Sequence, residues 1–249
     1  MNAPARAPWL FAAPYAHRGL WTPGGPPENS MAAFAAAHAA GLGVELDVQI
    51  SADREAMIFH DGKLERMTGA EGPLAARNAD DLAKLSLAGS RETMPRLADL
   101  LAAFPALPLL VEMKVRPGEE GPLEARTAEL LKDRRGPTAV MSFNPATLAR
   151  FAAHAPHIAR GQLTSGYKGA SPPAPLPPED DSGCAVSKPD FLSCNIDRLA
   201  AYGRPVAQRL SLPLITWTVR TAAELAIARQ HAGAWIFEAL PVAEAARPR

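Results

Sequence analysis

The feature that most narrows what this chain can fold into is an alternation of short β-rich runs with longer Ala/Leu-rich stretches. That order argues for parallel strands joined by crossover helices, because a strand running beside its predecessor in the same direction needs a long return path. The candidate strands are residues 14–17, 43–50, 56–60, 109–115, 139–143, 158–163, 191–194 and 214–219. Eight such runs in a chain of 249 residues match a single (β/α)8 TIM barrel of α/β class, typically about 250 residues long.

Amphipathic segments lie between them at 30–40, 79–85, 96–104, 123–134, 145–154, 200–210 and 222–231. Ser30, Asp80 and Thr221 are expected N-caps, Glu224 completes a capping box with Thr221, and Gly41 and Gly233 stand where C-caps belong. Residues 61–108 form a longer connection than a barrel needs, so an inserted capping segment is expected there, after the third strand. Residues 171–178, rich in proline, read as a stiff polyproline-like surface loop. With no repeat and no linker, residues 1–249 read as one catalytic domain.

Charge excludes some partners. Twenty-six basic and twenty-six acidic side chains cancel, so no global field draws the chain onto nucleic acid or anionic lipid. Two cysteines, Cys184 and Cys194, are too few for a disulfide framework and read as inert thiols. The apolar patch at residues 9–13 is short for a secretory signal, and no run approaches the roughly 18 apolar residues that span a bilayer. A cytoplasmic protein without stable membrane insertion is expected.

The chemically informative residues cluster at the C-terminal ends of the candidate strands, where barrels of this kind place their sites. They are His17-Arg18-Gly19, Glu28-Asn29-Ser30, Glu45-Leu46-Asp47, His60-Asp61 and Glu112-Met113-Lys114. Side chains two apart on a strand share a face, so Glu45 and Asp47 point together, as do Glu112 and Lys114. Three carboxylates in one pocket repel unless compensated. Two arrangements answer that: an ionic network with Arg18 and Lys114, or a hard divalent cation, Mg²⁺ or Ca²⁺, favoured by all-oxygen ligation. His17 and His60, ending neighbouring strands, can flank a bound group as proton acceptor and donor. Arg18 and Lys114 suit a phosphate oxyanion. Glu28 and Asn29 support the metal site or hold the turn in shape, and Asp61 starts a turn or orients His60. His38, His154, His157 and His231 lie on helices or helix ends and receive no chemistry.

In this order the motifs, with Trp217-Thr218-Val219 and Pro27 before Glu28, resemble the glycerophosphodiester phosphodiesterase family. The resemblance implies hydrolysis of glycerophosphodiesters such as glycerophosphocholine to glycerol 3-phosphate and an alcohol. It implies one divalent metal ion on Glu45, Asp47 and Glu112, proton exchange by His17 and His60, and phosphate held by Arg18 and Lys114. It also implies that Trp217 lines the pocket wall and that the insertion caps the glycerol end. The chain departs from the family's pattern at Arg220, where Asn is common, and in its closing run of residues 234–241, where the bulk of Trp235 and Phe237 is expected to narrow or reshape the far side of the mouth. Two rivals stay open: a lipid-directed, lysophospholipase D-like phosphodiesterase with an apolar rim at Trp21 and Trp235, and a catalytically silent barrel that binds phosphorylated ligands. The preferred alcohol, the attacking hydroxyl and the oligomeric state are not decided by these residues.

Overall fold

The computed structural model describes residues 7–165 and 183–246, so the expected proline-rich loop lies outside the described residues. Among the described residues nine strands form one sheet: β1 (Tyr15–His17), β2 (Gly43–Ile50), β3 (Ala56–Ile58), β4 (Leu109–Met113), β5 (Thr138–Ser142), β6 (Ala159–Thr164), β7 (Phe191–Asn195), β8 (Leu214–Val219) and β9 (Ala234–Phe237). Eight of them close into a ring of parallel pairs, β1-β2-β4-β5-β6-β7-β8-β9 and back to β1. The barrel is as expected, but two of its parts are not. The run at 56–60 yields β3, which pairs antiparallel with β2 and lies outside the ring. The eighth place belongs to β9, which is not among the eight runs expected as strands. The long excursion therefore interrupts the unit between the second and third ring strands.

Alternation along the ring strands separates two cores. Val44, Leu46 and Val48 of β2 and Leu109, Val111 and Met113 of β4 face outward into a large cluster shared with the helices. That cluster takes Phe34 and Ala37 from α1 (Met31–Ala39) and, beyond the helices of the excursion, Leu97 and Leu100 from the next ring-packing helix. Leu110, Met141, Leu163, Ile215 and Ile236 point inward and meet Leu10 of the segment before β1. Tyr15 fixes that segment, its hydroxyl donating to Leu10 O at 3.0 Å beneath the barrel. Each fully buried side chain of this size contributes about 1.5–3 kcal/mol.

The excursion carries α2 (Glu65–Thr68), a 3₁₀ turn at Leu74–Ala76 and α3 (Ala79–Leu82), followed by α4 (Leu97–Ala103), which belongs to the ring. It has a core of its own, in which Met57, Phe59, Leu64, Leu74 and Leu82 are buried together. Then come α5 (Pro122–Leu131), α6 (Pro145–His154), α7 (Cys184–Ser187), α8 (Arg204–Arg209), α9 (Ala222–His231) and α10 (Val242–Ala245). The cap expectations divide. Ser30 accepts from Ala33 N, Thr221 and Glu224 form the capping box, and Gly41 adopts a left-handed φ of 70° after α1. Asp80 does not cap α3: Asp53, reaching in from the β2–β3 turn, accepts from Ala79 N at 2.9 Å, and Asp80 pairs with Arg96 instead. Gly233 is no left-handed cap either; a Cβ there would meet the Phe11 ring at 2.4 Å, so close approach requires the glycine. Both cysteines are buried. Among the described residues no helix is long and apolar enough to cross a membrane.

Candidate active site

Register brings the acids together. His17 stands opposite Glu45 across β1 and β2, and Asp47 opposite Glu112 across β2 and β4. Paired inward positions on strands about 4.8 Å apart make neighbouring side chains. One oxygen from each of Glu45, Asp47 and Glu112 lies within 4.8 Å of the others, and all three residues are buried. Lys114 Nζ stands 3.1 Å from Asp47 Oδ1 and 2.9 Å from Glu112 Oε1. Arg18 reaches Glu28 Oε1 at 2.9 Å and Asp47 Oδ2 at 3.5 Å, and Asn29 Nδ2 donates to Asp47 Oδ2 at 2.9 Å.

The basic side chains compensate this cluster unevenly. Burial alone pushes Asp47 up, but Lys114, His60, Arg18 and His17 outweigh it and hold the carboxyl down at about 2. Burial pushes Glu45 well above the usual carboxylate range, with Asp47 and Glu112 adding repulsion. Glu112 is raised to about 7, again chiefly by burial, against the pull of Lys114. Both arrangements open to the sequence thus have a basis here: an ionic network exists, and it leaves two carboxylates short of positive charge.

The loop that delivers Arg18 is conformationally costly. Arg18 and Asn29 both adopt φ of 55°, an uncommon left-handed backbone for such residues, and Asn29 N donates to Arg18 O at 2.8 Å to lock the two turns together. At Gly19 a Cβ would meet Ala33 Cβ at 2.8 Å, so this turn packs onto α1 only without a side chain.

Both imidazoles are held at Nδ1. His17 Nδ1 is 2.5 Å from Glu238 Oε2, and its Nε2 lies 3.9 Å from Glu45 Oε2. Arg220 Nε donates to the other oxygen of Glu238 at 2.6 Å. His60 Nδ1 is 2.7 Å from Asp61 Oδ1, and Arg66 Nε donates to Asp61 Oδ2 at 2.5 Å. Arg66 also reaches Glu28 Oε1 at 2.6 Å, so Arg18 and His60 share one ionic chain through Glu28, Arg66 and Asp61. Gln49 Nε2 donates to Phe59 O and Asp61 O, which fixes the turn that carries His60. Burial depresses the His60 imidazole against the opposing pull of Asp47.

A cavity of about 160 Å³ opens among these groups, lined by His17, Arg18, Glu45, Asp47, His60, Glu112, Lys114 and Trp217. Trp217 forms part of its wall, as the resemblance implied; its ring meets Phe143 edge-on at 5.5 Å, and Nε1 donates to Ser193 O. Asp61 orients His60, the alternative the sequence left open. Three expectations are corrected. His60 does not end a ring strand but follows the antiparallel β3, whose hairpin folds it back over the mouth. Trp235 and Phe237 do not narrow the mouth: they point outward, 6% and 1% exposed, into the helix-side core, while Ile236 between them faces the cavity. Trp235 likewise supplies no apolar rim. Glu238, Arg220 and Arg66 were missed as site residues. A signal for the first existed: the apolar run 234–237, bounded by Gly233 and Glu238, has the form of a fully buried strand, which would have set Glu238 at the mouth.

The model of the glycerophosphoryl diester phosphodiesterase family matches residues 17–237. An uncharacterized protein of Bacillus subtilis (strain 168), YqiK, is 32% identical over 61% of this chain and 66% of its own length. The glycerophosphodiester phosphodiesterase of Bacillus altitudinis is 31% identical over 60% of this chain and 65% of its own. The matched region thus spans just under two thirds of both relatives. An Oleispira antarctica phosphodiesterase, solved in complex with the product sn-glycerol-3-phosphate, superposes with a TM-score of 0.77 at 26% identity, over 92% of this chain and 94% of that one.

Proposed function

Because this chain belongs to the glycerophosphoryl diester phosphodiesterase family, we propose that it hydrolyses glycerophosphodiesters, such as glycerophosphocholine, to glycerol 3-phosphate and an alcohol, with His17 and His60 as its proton-transfer groups. The observation that carries this reading is the cavity itself, where two Nδ1-anchored imidazoles flank three converging carboxylates and two cations. The product held by the Oleispira relative supports the choice of substrate class.

The donor set fits a hard divalent cation. All donors are oxygens, burial pushes Glu45 and Glu112 up with repulsion from Asp47 adding to it, and the buried Asn29 Oδ1 beside them has no hydrogen-bond partner. Glu45, Asp47 and Glu112 would hold Mg²⁺ or Ca²⁺, which when bound would supply Lewis acidity and charge to a phosphoryl oxygen. Arg18 and Lys114 bind phosphate oxygens, and the charge on the five-coordinate centre that forms during transfer is stabilised by these fixed cations. One imidazole takes a proton from the attacking hydroxyl at Nε2 while the other returns one to the leaving oxygen. Trp217 packs against the carbon skeleton, Glu28 and Asn29 keep Arg18 and Asp47 aimed, and the excursion covers the glycerol end. Residues 1–249 act as one catalytic domain in this reading, working in the cytoplasm.

The test is a panel of glycerophosphodiesters assayed with and without chelator, together with Glu112→Gln. Chelation and the substitution should each abolish turnover while circular dichroism is unchanged; full activity in Glu112→Gln would sink the assignment. Phosphorus NMR of the products separates attack by water from attack by the substrate's own hydroxyl, which would release a cyclic phosphate.

A further inference from the structure

The geometry points to Glu238 as a positioning residue that, anchored by Arg220, holds His17 in the Nδ1–H tautomer and so presents Nε2 to the substrate. This rests on the acid–base role of His17 proposed above. Glu238 Oε2 and His17 Nδ1 are 2.5 Å apart. An ionised carboxylate has no proton to give, so the imidazole nitrogen must be the donor, and Nε2 is left as the reactive atom.

The carboxylate is fixed from its other side as well. Its Oε1 accepts from Arg220 Nε at 2.6 Å, and Arg220 is in turn held by its backbone N–H donating to Glu224 Oε2 at the start of α9. The Glu238 side chain is 14% exposed, a position where an unpaired charge would be costly. Burial pushes it up, yet His17 and Arg220 bring it down to about 2, so it stays ionised. The chain also bends to make the contact: Ala239, immediately after Glu238, adopts a left-handed φ of 58°, uncommon for a residue with a Cβ. Two departures from the family's pattern, Arg220 after β8 and Glu238 within the closing run 234–241, therefore make one device, an ion pair across adjacent strand ends. His60 has the same device in Asp61 and Arg66.

The test is a double-mutant cycle in the full chain supplied with Mg²⁺, with glycerophosphocholine as the probe. Glu238→Ala is expected to lower kcat about 10- to 100-fold. KM should stay within about threefold, and Glu238→Gln, which keeps an acceptor oxygen, should recover part of the loss. On a His17→Ala background the same substitution should cost nothing further. Long-range proton–nitrogen NMR should show His17 as the Nδ1–H tautomer in the parent and as a mixture in Glu238→Ala. If Glu238→Ala does not fold, Arg220→Gln runs the same cycle. An equal loss on both backgrounds, or an Nδ1–H tautomer that survives Glu238→Ala, overturns the proposal. So does a kcat within about twofold of the parent in Glu238→Ala while His17→Ala is inactive, and that outcome leaves the acid–base reading standing. Undiminished turnover in His17→Ala overturns both.

Discussion

The His17 arm and the His60 arm perform the same contact with different materials. His17 ends a ring strand, and its carboxylate and arginine follow two other ring strands, so the arm is assembled from positions that parallel pairing already holds. His60 hangs from an antiparallel hairpin outside the ring, and its carboxylate is its own chain neighbour while its arginine sits on the four-residue α2. One arm is made rigid by the sheet and the other by the small core beneath the excursion. The difference teaches that an identical local geometry can rest on unequal supports, and hence can fail in unequal ways.

The largest effects should come from removing each imidazole in turn. His17→Ala and His60→Ala should each lower kcat about 10²- to 10⁴-fold in steady-state assays, and a much smaller loss in either would break the equivalence of the arms. Next come the supports. Leu74, fully buried in the excursion, and Leu110, fully buried inside the barrel, should each cost about 2–5 kcal/mol when cut to alanine. Hydrogen exchange should place the Leu74→Ala damage in the excursion alone, whereas Leu110→Ala should lower the global Tm; a shared global loss would show that the excursion is no separate unit. A smaller effect is expected for Arg66→Ala, which loosens Asp61 and Glu28 together and should lower kcat about tenfold with a modest rise in KM.

The smallest effect sharpens the comparison by pH. The Glu238 carboxyl is depressed from its ordinary 4.5 to about 2, so the folded chain binds this proton less readily than the unfolded one. Its contribution to stability is therefore complete above about pH 4.5 and fades as pH falls toward 2. Urea melts of Glu238→Gln and the parent should differ most near neutrality and converge in acid; a constant gap would mean that the charge is not what matters.

What was legible in the sequence follows from distance along the chain. Alternation on β2 and β4 told which residues face inward, because polar and apolar side chains interchange there, and the acids met as expected. His60 and Asp61 are adjacent, so their contact was at least an open alternative. His17 and Glu238 are 221 residues apart, and only the closed ring makes them neighbours. β9 is hard to read from the sequence because Ala-Trp-Ile-Phe is apolar on both faces and shows no period. β3 misled for another reason: a three-residue strand carries no mark of its direction.

The ring is shut by very little. β1 meets β9 through two register pairs, Tyr15 with Ile236 and Ala16 with Phe237, and the His17–Glu238 contact straddles that join. A barrel that begins to part at this seam would silence its chemistry while most of its staves still stand. On heating, turnover should therefore vanish some degrees before the far-ultraviolet signal does, and coincident curves would show the closure to be as strong as the rest of the hoop.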